Sequence, residues 1–132
     1  MTTVSPQPNL EIKQGEIYWV RATDIDVEGS EQKKNRPYVI VSRDYINRQG
    51  HVVIGVPLTS QIHQAKGYRL KIHLAHMVQN PASSRKLKDS VVLTDHIRVL
   101  DPRRLEQPKM GDVSETARGG IEAALSGIFD IR

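Results

Sequence analysis

The chain has no cysteine among its 132 residues, which excludes disulfides and thiolate metal sites. No apolar run approaches the roughly 20 residues of a membrane span, and Met1 to Leu10 lacks the core of a signal peptide. A soluble, cytoplasmic protein is expected, opening on a short disordered lead over residues 1–10 that contains Pro6 and Pro8. Internal repeats and low-complexity tracts are missing too. Acid is scarce where bases gather. Between Lys33 and Lys88 stand eleven Lys and Arg against one acid, Asp44, while the remainder holds eight bases and fourteen acids. The middle of the chain therefore carries +10 and the rest −6, within an overall +4. Such a concentration is the electrostatic footprint of a polyanion partner. It would equally serve as a solvated face, or as a dock for an acidic protein segment.

What is present fits one domain over residues 11–132, long enough to bury roughly two thirds of its unfolded surface without help from a metal. "EIYWVR" (Glu16 to Arg21) alternates and carries β-formers. Tyr38 to Ser42, His51 to Leu58, Tyr68 to Leu74, Ser90 to Thr94 and His96 to Leu100 supply further strands. Many short strands with few helices predict a mostly β chain, a small barrel or strongly curved sheet. The end differs: Val113, Ala117, Ile121, Leu125 and Ile128 recur at helical spacing, with Asp112 and Glu115 as a capping pair. Gly119 and Gly120 inside that helix each cost about 1 kcal/mol relative to alanine, a cost that close approach to the sheet would offset.

Metal chemistry finds no support. Asp24, Asp26, Glu28 and Gly29 imitate the opening of a calcium-binding EF-hand loop, but the bidentate glutamate needed at its twelfth position falls at Asn35, and a strand precedes the loop. On the strand predicted there, His73 and His76 point to opposite faces and read as surface histidines. No cofactor is expected.

The polar residues lie where a ligand could use them. If Tyr38–Ser42 and His51–Leu58 form a hairpin centred near Asn47 and Arg48, Arg36 falls opposite Thr59, to within a couple of residues. Pro37 and Pro57 lack amide donors and would end regular pairing there, opening the sheet rim. The fourteen-residue connection from Ala22 to Asn35 ends at the same rim, and connections of that length are usually functional or disordered. A guanidinium forks onto two phosphate oxygens, and a threonine hydroxyl can donate to the same group, so the pair suits a phosphodiester. The plainer alternative is an arginine paired with Glu31 and a threonine that merely ends a strand.

"IKQGEIYWV", "GSEQKKNRPYVIVS", "NRQGHVVIGVPLTSQ" and "SVVLTDHIRVLD", in this order, resemble the MazF/PemK toxins of bacterial toxin–antitoxin pairs. The resemblance runs over nearly all of residues 12 to 132. It implies an SH3-like small barrel of the PemK/CcdB type, a homodimer, and sequence-specific cleavage of single-stranded RNA without a metal. It also implies a cognate acidic antitoxin. On this resemblance the catalytic arginine and threonine are Arg36 and Thr59, with Glu31 accepting a proton or orienting Arg36. Gln32, Ser60 and Gln61 flank them, and Lys33, Lys34 and Arg48 would hold RNA phosphates. His63 is a further acid–base and RNA-contact candidate. His96 stands where relatives often carry glutamine, which bears on base preference near Arg98. Two other classes stay open: a non-catalytic barrel that only binds, and a poison of a DNA topoisomerase like CcdB.

Overall fold

The computed structural model describes residues 11–22 and 35–130. Its strands are β1 (Glu16–Val20), β2 (Arg36–Ile40), β3 (Val53–Thr59), β4 (Leu70–Ile72), β5 (Met77–Gln79), β6 (Ser90–Val92), β7 (Arg98–Leu100) and β8 (Gly111–Val113). A short helix, α1 (Asp44–Arg48), joins β2 to β3, and α2 (Glu115–Phe129) closes the chain. The sheet runs β4-β6-β3-β2-β1-β8-β5, with β7 beside β3, and its ladders are antiparallel. The expected mostly β, barrel-like architecture with a C-terminal helix is what forms. Among the described residues no helix is long and apolar enough to cross a membrane.

Both faces of the central strands are buried, which explains apolar runs such as "YVIV". Ile17, Val39, Val56 and Leu58 enter one cluster with Ala117 and Ile121 of α2. Tyr18, Val20, Tyr38, Ile40 and Val53 enter a second with Ile12, Leu100 and Leu105. Alternation along β1 therefore sorts residues between two cores rather than between core and solvent. Each fully buried aliphatic side chain contributes about 1.5–3 kcal/mol, so the two clusters supply the main driving force.

Several expectations change in detail. The predicted strand over Tyr68–Leu74 contracts to β4, because the chain turns at Leu74–His76 in a single 3-10 turn. His73 precedes that turn and His76 ends it, both exposed, instead of standing on opposite faces of a strand. The link between β2 and β3 contains α1, which holds Asn47 and Arg48 where the hairpin was expected to be centred. The N-cap of α2 is Ser114, whose Oγ accepts the Ala117 amide at 3.1 Å. Asp112 lies in β8 opposite Glu16 and Val78, so it cannot form the expected capping pair with Glu115. A Cβ on Gly120 would lie 3.1 Å from the Leu70 side chain, the close approach expected of the glycine pair, whereas Gly119 faces open space. The expected lead over residues 1–10 lies outside the described residues.

Candidate active site

The β2–β3 ladder pairs Ile40 with Gly55, Val39 with Val56 and Tyr38 with Pro57, the register expected from the sequence. Pairing then stops. Pro57 has no amide hydrogen, its carbonyl accepts the Leu93 amide at 2.9 Å, and Leu58 and Thr59 continue against Val92 and Val91 of β6. Meanwhile β2 stays with β1, where Pro37 lies opposite Trp19 and Arg36 opposite Val20. The strands diverge at the two prolines, and a groove of about 570 Å³ occupies the gap. Arg36, Thr59, Ser60 and Gln61 line it, together with Trp19 and the segment from Ser84 to Lys88.

The polar atoms of the rim are incompletely matched. Arg36 Nε is buried without a hydrogen-bond partner among the described residues. An unsatisfied buried donor costs about 1–3 kcal/mol, and more when charged, so the rim lacks an acceptor for this atom among the described residues. Thr59 Oγ1 accepts the Gln61 amide at 3.2 Å, which leaves its hydroxyl hydrogen uncommitted among the described residues. Gln61 Oε1 accepts from Gln64 Nε2 at 2.9 Å, and Gln64 Oε1 accepts from Arg69 Nη1 at 3.2 Å. Arg69 in turn forks onto Asp95 at 2.8 and 3.1 Å and lies 3.0 Å from His96 Nε2. The Arg69 guanidinium holds the Asp95 carboxyl below the usual carboxylate range. Asn35, which lines the groove, accepts the Ala22 amide through Oδ1 at 2.8 Å.

Of the residues singled out in the sequence, Arg36, Thr59, Ser60 and Gln61 come together. Glu31, Gln32, Lys33 and Lys34 lie outside the described residues. Arg48 belongs to α1, at the far end of the β2–β3 pair, and lines a separate groove of about 800 Å³ with Glu11, His51 and Asp101. His63, exposed in the 3-10 turn after Thr59, does not line the rim groove, and neither do His96 and Arg98. His96 connects to the rim through Arg69, Gln64 and Gln61. Arg98 opens β7 opposite Gly55. The residues that sequence reasoning missed are Trp19 and the run "SRKLK" between β5 and β6. Its three bases within four positions were the available signal. Among the described residues no group of three or more His, Asp or Glu is arranged to hold a metal ion.

Residues 13–129 match the family model of the PemK-like, MazF-like toxins of type II toxin–antitoxin systems. Similar solved structures include the Mycobacterium tuberculosis toxin MazF-mt6, at TM-score 0.65 and 17% identity over 89% of this chain and 98% of that one. MazF from Deinococcus radiodurans matches at TM-score 0.63 and 24% identity, over 91% and 97% of the two chains. An endoribonuclease bound to its cognate antitoxin, from a mycobacterial species, matches at TM-score 0.63 and 20% identity, over 93% and 97%. Likeness at these identities shows a shared fold, the small PemK-type barrel expected from the sequence.

Proposed function

The chain belongs to the PemK-like, MazF-like toxin family, and from that premise we propose that it is a sequence-specific, metal-independent endoribonuclease acting on single-stranded RNA at the rim groove. The observation that supports this reading most is the buried Arg36 Nε, without a partner among the described residues, in a groove shared with Thr59. The ribose 2′-oxygen attacks the adjacent phosphorus and the bond to the 5′-oxygen breaks. The products are a 2′,3′-cyclic phosphate and a 5′-hydroxyl. The protein then supplies no nucleophile and activates no water. Arg36 clamps the non-bridging oxygens and stabilises the charge that grows on them, a role that fits a group that stays protonated. Thr59 donates its hydroxyl hydrogen to the same oxygens. Glu31 is assigned to accepting a proton or orienting Arg36.

The test is incubation of purified protein with a long RNA in excess EDTA. Discrete fragments ending in cyclic phosphate are expected; intact RNA would overturn the reading. We also infer a homodimer, for which light scattering should give about twice the 14.9 kDa chain mass. The proposed regulator is an acidic antitoxin that covers the basic middle segment and competes with RNA. Raising the RNA concentration should then relieve its inhibition, and simultaneous binding of both would place the antitoxin elsewhere.

A further inference from the structure

Beside Arg36 and Thr59, the groove wall contains a prearranged stack. The Arg85 guanidinium carbon lies 4.1 Å from the centroid of the Trp19 ring. Arg85 Nε and Nη2 donate to Glu106 at 2.7 and 3.1 Å, and the Glu106 amide donates to the Trp19 carbonyl at 2.9 Å. Three contacts thus close a ring that fixes the guanidinium plane against the indole. The Arg85 side chain keeps 39% of its exposure, and both it and Trp19 line the groove.

Its charge is compensated by Glu106 and two of its donors are taken, which makes Arg85 a poor phosphate clamp beside Arg36, whose buried Nε has no partner among the described residues. What it still offers is a flat, cationic, partly exposed face. Planar cationic and aromatic faces are what unstacked bases bind in single-stranded RNA. We infer that the Trp19–Arg85 pair is the base shelf of the groove, on which a nucleobase next to the phosphate at Arg36 stacks, making Arg85 a specificity-determining residue. This rests on the proposed RNA-cleaving function.

The experiment maps fragment ends on one long RNA for wild type, Arg85→Ala and Arg85→Lys, with circular dichroism confirming the fold of each. Both variants should lose about tenfold of the preference at one base flanking the cut, the scale of a single stacking contact. The loss should appear in KM more than in kcat. Trp19 is the only tryptophan, so its emission reports the shelf directly. A 2′-O-methylated pool of random ten-nucleotide RNAs, which cannot be cleaved, should quench wild type and leave Arg85→Ala nearly unchanged. An unaltered base preference in both folded variants would overturn the shelf, and its restoration by lysine would reduce the role to charge and overturn it too. If wild type does not cut RNA at all, the catalytic reading fails by itself. Quenching that depends on Arg85 would still support the shelf in that case, and its absence would sink it.

Discussion

Glu16 and Arg36 are both ionisable groups drawn out of water at opposite ends of the β1–β2 pair, and the fold treats them oppositely. Glu16 is buried and collects three donors: the Lys13 amide at 2.8 Å, the Tyr18 hydroxyl at 2.9 Å and Lys109 Nζ at 3.1 Å. Nearby, Ser42 Oγ and the Asn47 side chain bond each other, and Ser42 Oγ also accepts the Ile54 amide, which seals the α1 end of the ladder. Arg36 at the other end has a buried Nε with no partner among the described residues. A sheet that satisfies its polar atoms so fully at one end leaves this donor at the other unmatched among the described residues, and on the proposed function a phosphate would supply the acceptor. The sealed end holds the fold together; the open end is where chemistry can occur.

The largest expected effect breaks this division at its open end. Arg36→Ala and Thr59→Ala should each lower single-turnover cleavage by about a hundredfold or more, the scale of a lost transition-state donor. Stability should fall by no more than about 1 kcal/mol, since Arg36→Ala removes a donor with no partner among the described residues. Denaturant unfolding alongside cleavage rates checks both halves. A folded variant that cleaves at near wild-type rates would remove the assignment.

The comparison also explains how much was readable in advance. Pro37 and Pro57 announce the end of pairing because a missing amide hydrogen acts locally, and the register follows from where the hairpin is centred. The α2 stripe is equally local, with Ala117 and Ile121 buried as its spacing predicts. Arg48 stands between the strands where the hairpin centre was expected, within α1, and so lies at the end of the pair remote from the rim groove. That turn is held by Ser42 and Asn47 side chains, whose bonds no periodicity reveals. Strands β5 ("MVQ") and β8 ("GDV") carry one β-branched residue each and stand outside any longer β-forming run, so they show no pattern. Trp19 and Arg85 meet only after the β5–β6 connection folds back over β1. Their contact is between residues far apart in sequence and leaves no local trace.

A smaller effect belongs to the sealed end. Lys109 bonds Glu16 and also Asp112 at 3.1 Å. Lys109→Met keeps the aliphatic stem but leaves Glu16 buried with an uncompensated charge. Removing one partner of a fully buried pair costs about 3–5 kcal/mol. Because the Lys109 side chain is 31% exposed, about 2 kcal/mol is expected, read as a shift in the denaturation midpoint. Cleavage measured well below that midpoint should change less than about threefold. A hundredfold loss of activity with intact stability would mean that the two ends are not separate.

The smallest effect uses pH to show that the sealed end was built for protonated Tyr18. Burial, then the neighbouring Glu16 carboxylate and its hydrogen bond, push the Tyr18 hydroxyl well above the ordinary tyrosine range. A group raised in the folded state contributes stability that is complete below its unfolded value, near 10, and is lost as pH rises beyond it. The loss is about 1.4 kcal/mol per pH unit while Tyr18 stays protonated in the fold and ionises in the unfolded chain. For Lys109, burial acts downward, but its bonds to Asp112 and Glu16 outweigh it and leave it raised too. Wild type therefore weakens in alkali for two reasons, and only one of them survives in Tyr18→Phe. At pH 8 the variant should be less stable by about 1 kcal/mol, the net value of the lost hydrogen bond. Near pH 11 the two proteins should converge, because phenylalanine has no proton to lose on unfolding. Urea melts at three pH values between 8 and 11 measure the difference directly. Parallel curves would mean that Tyr18 ionises as readily in the fold as outside it, and that the α1 end is less tightly closed than its hydrogen bonds indicate.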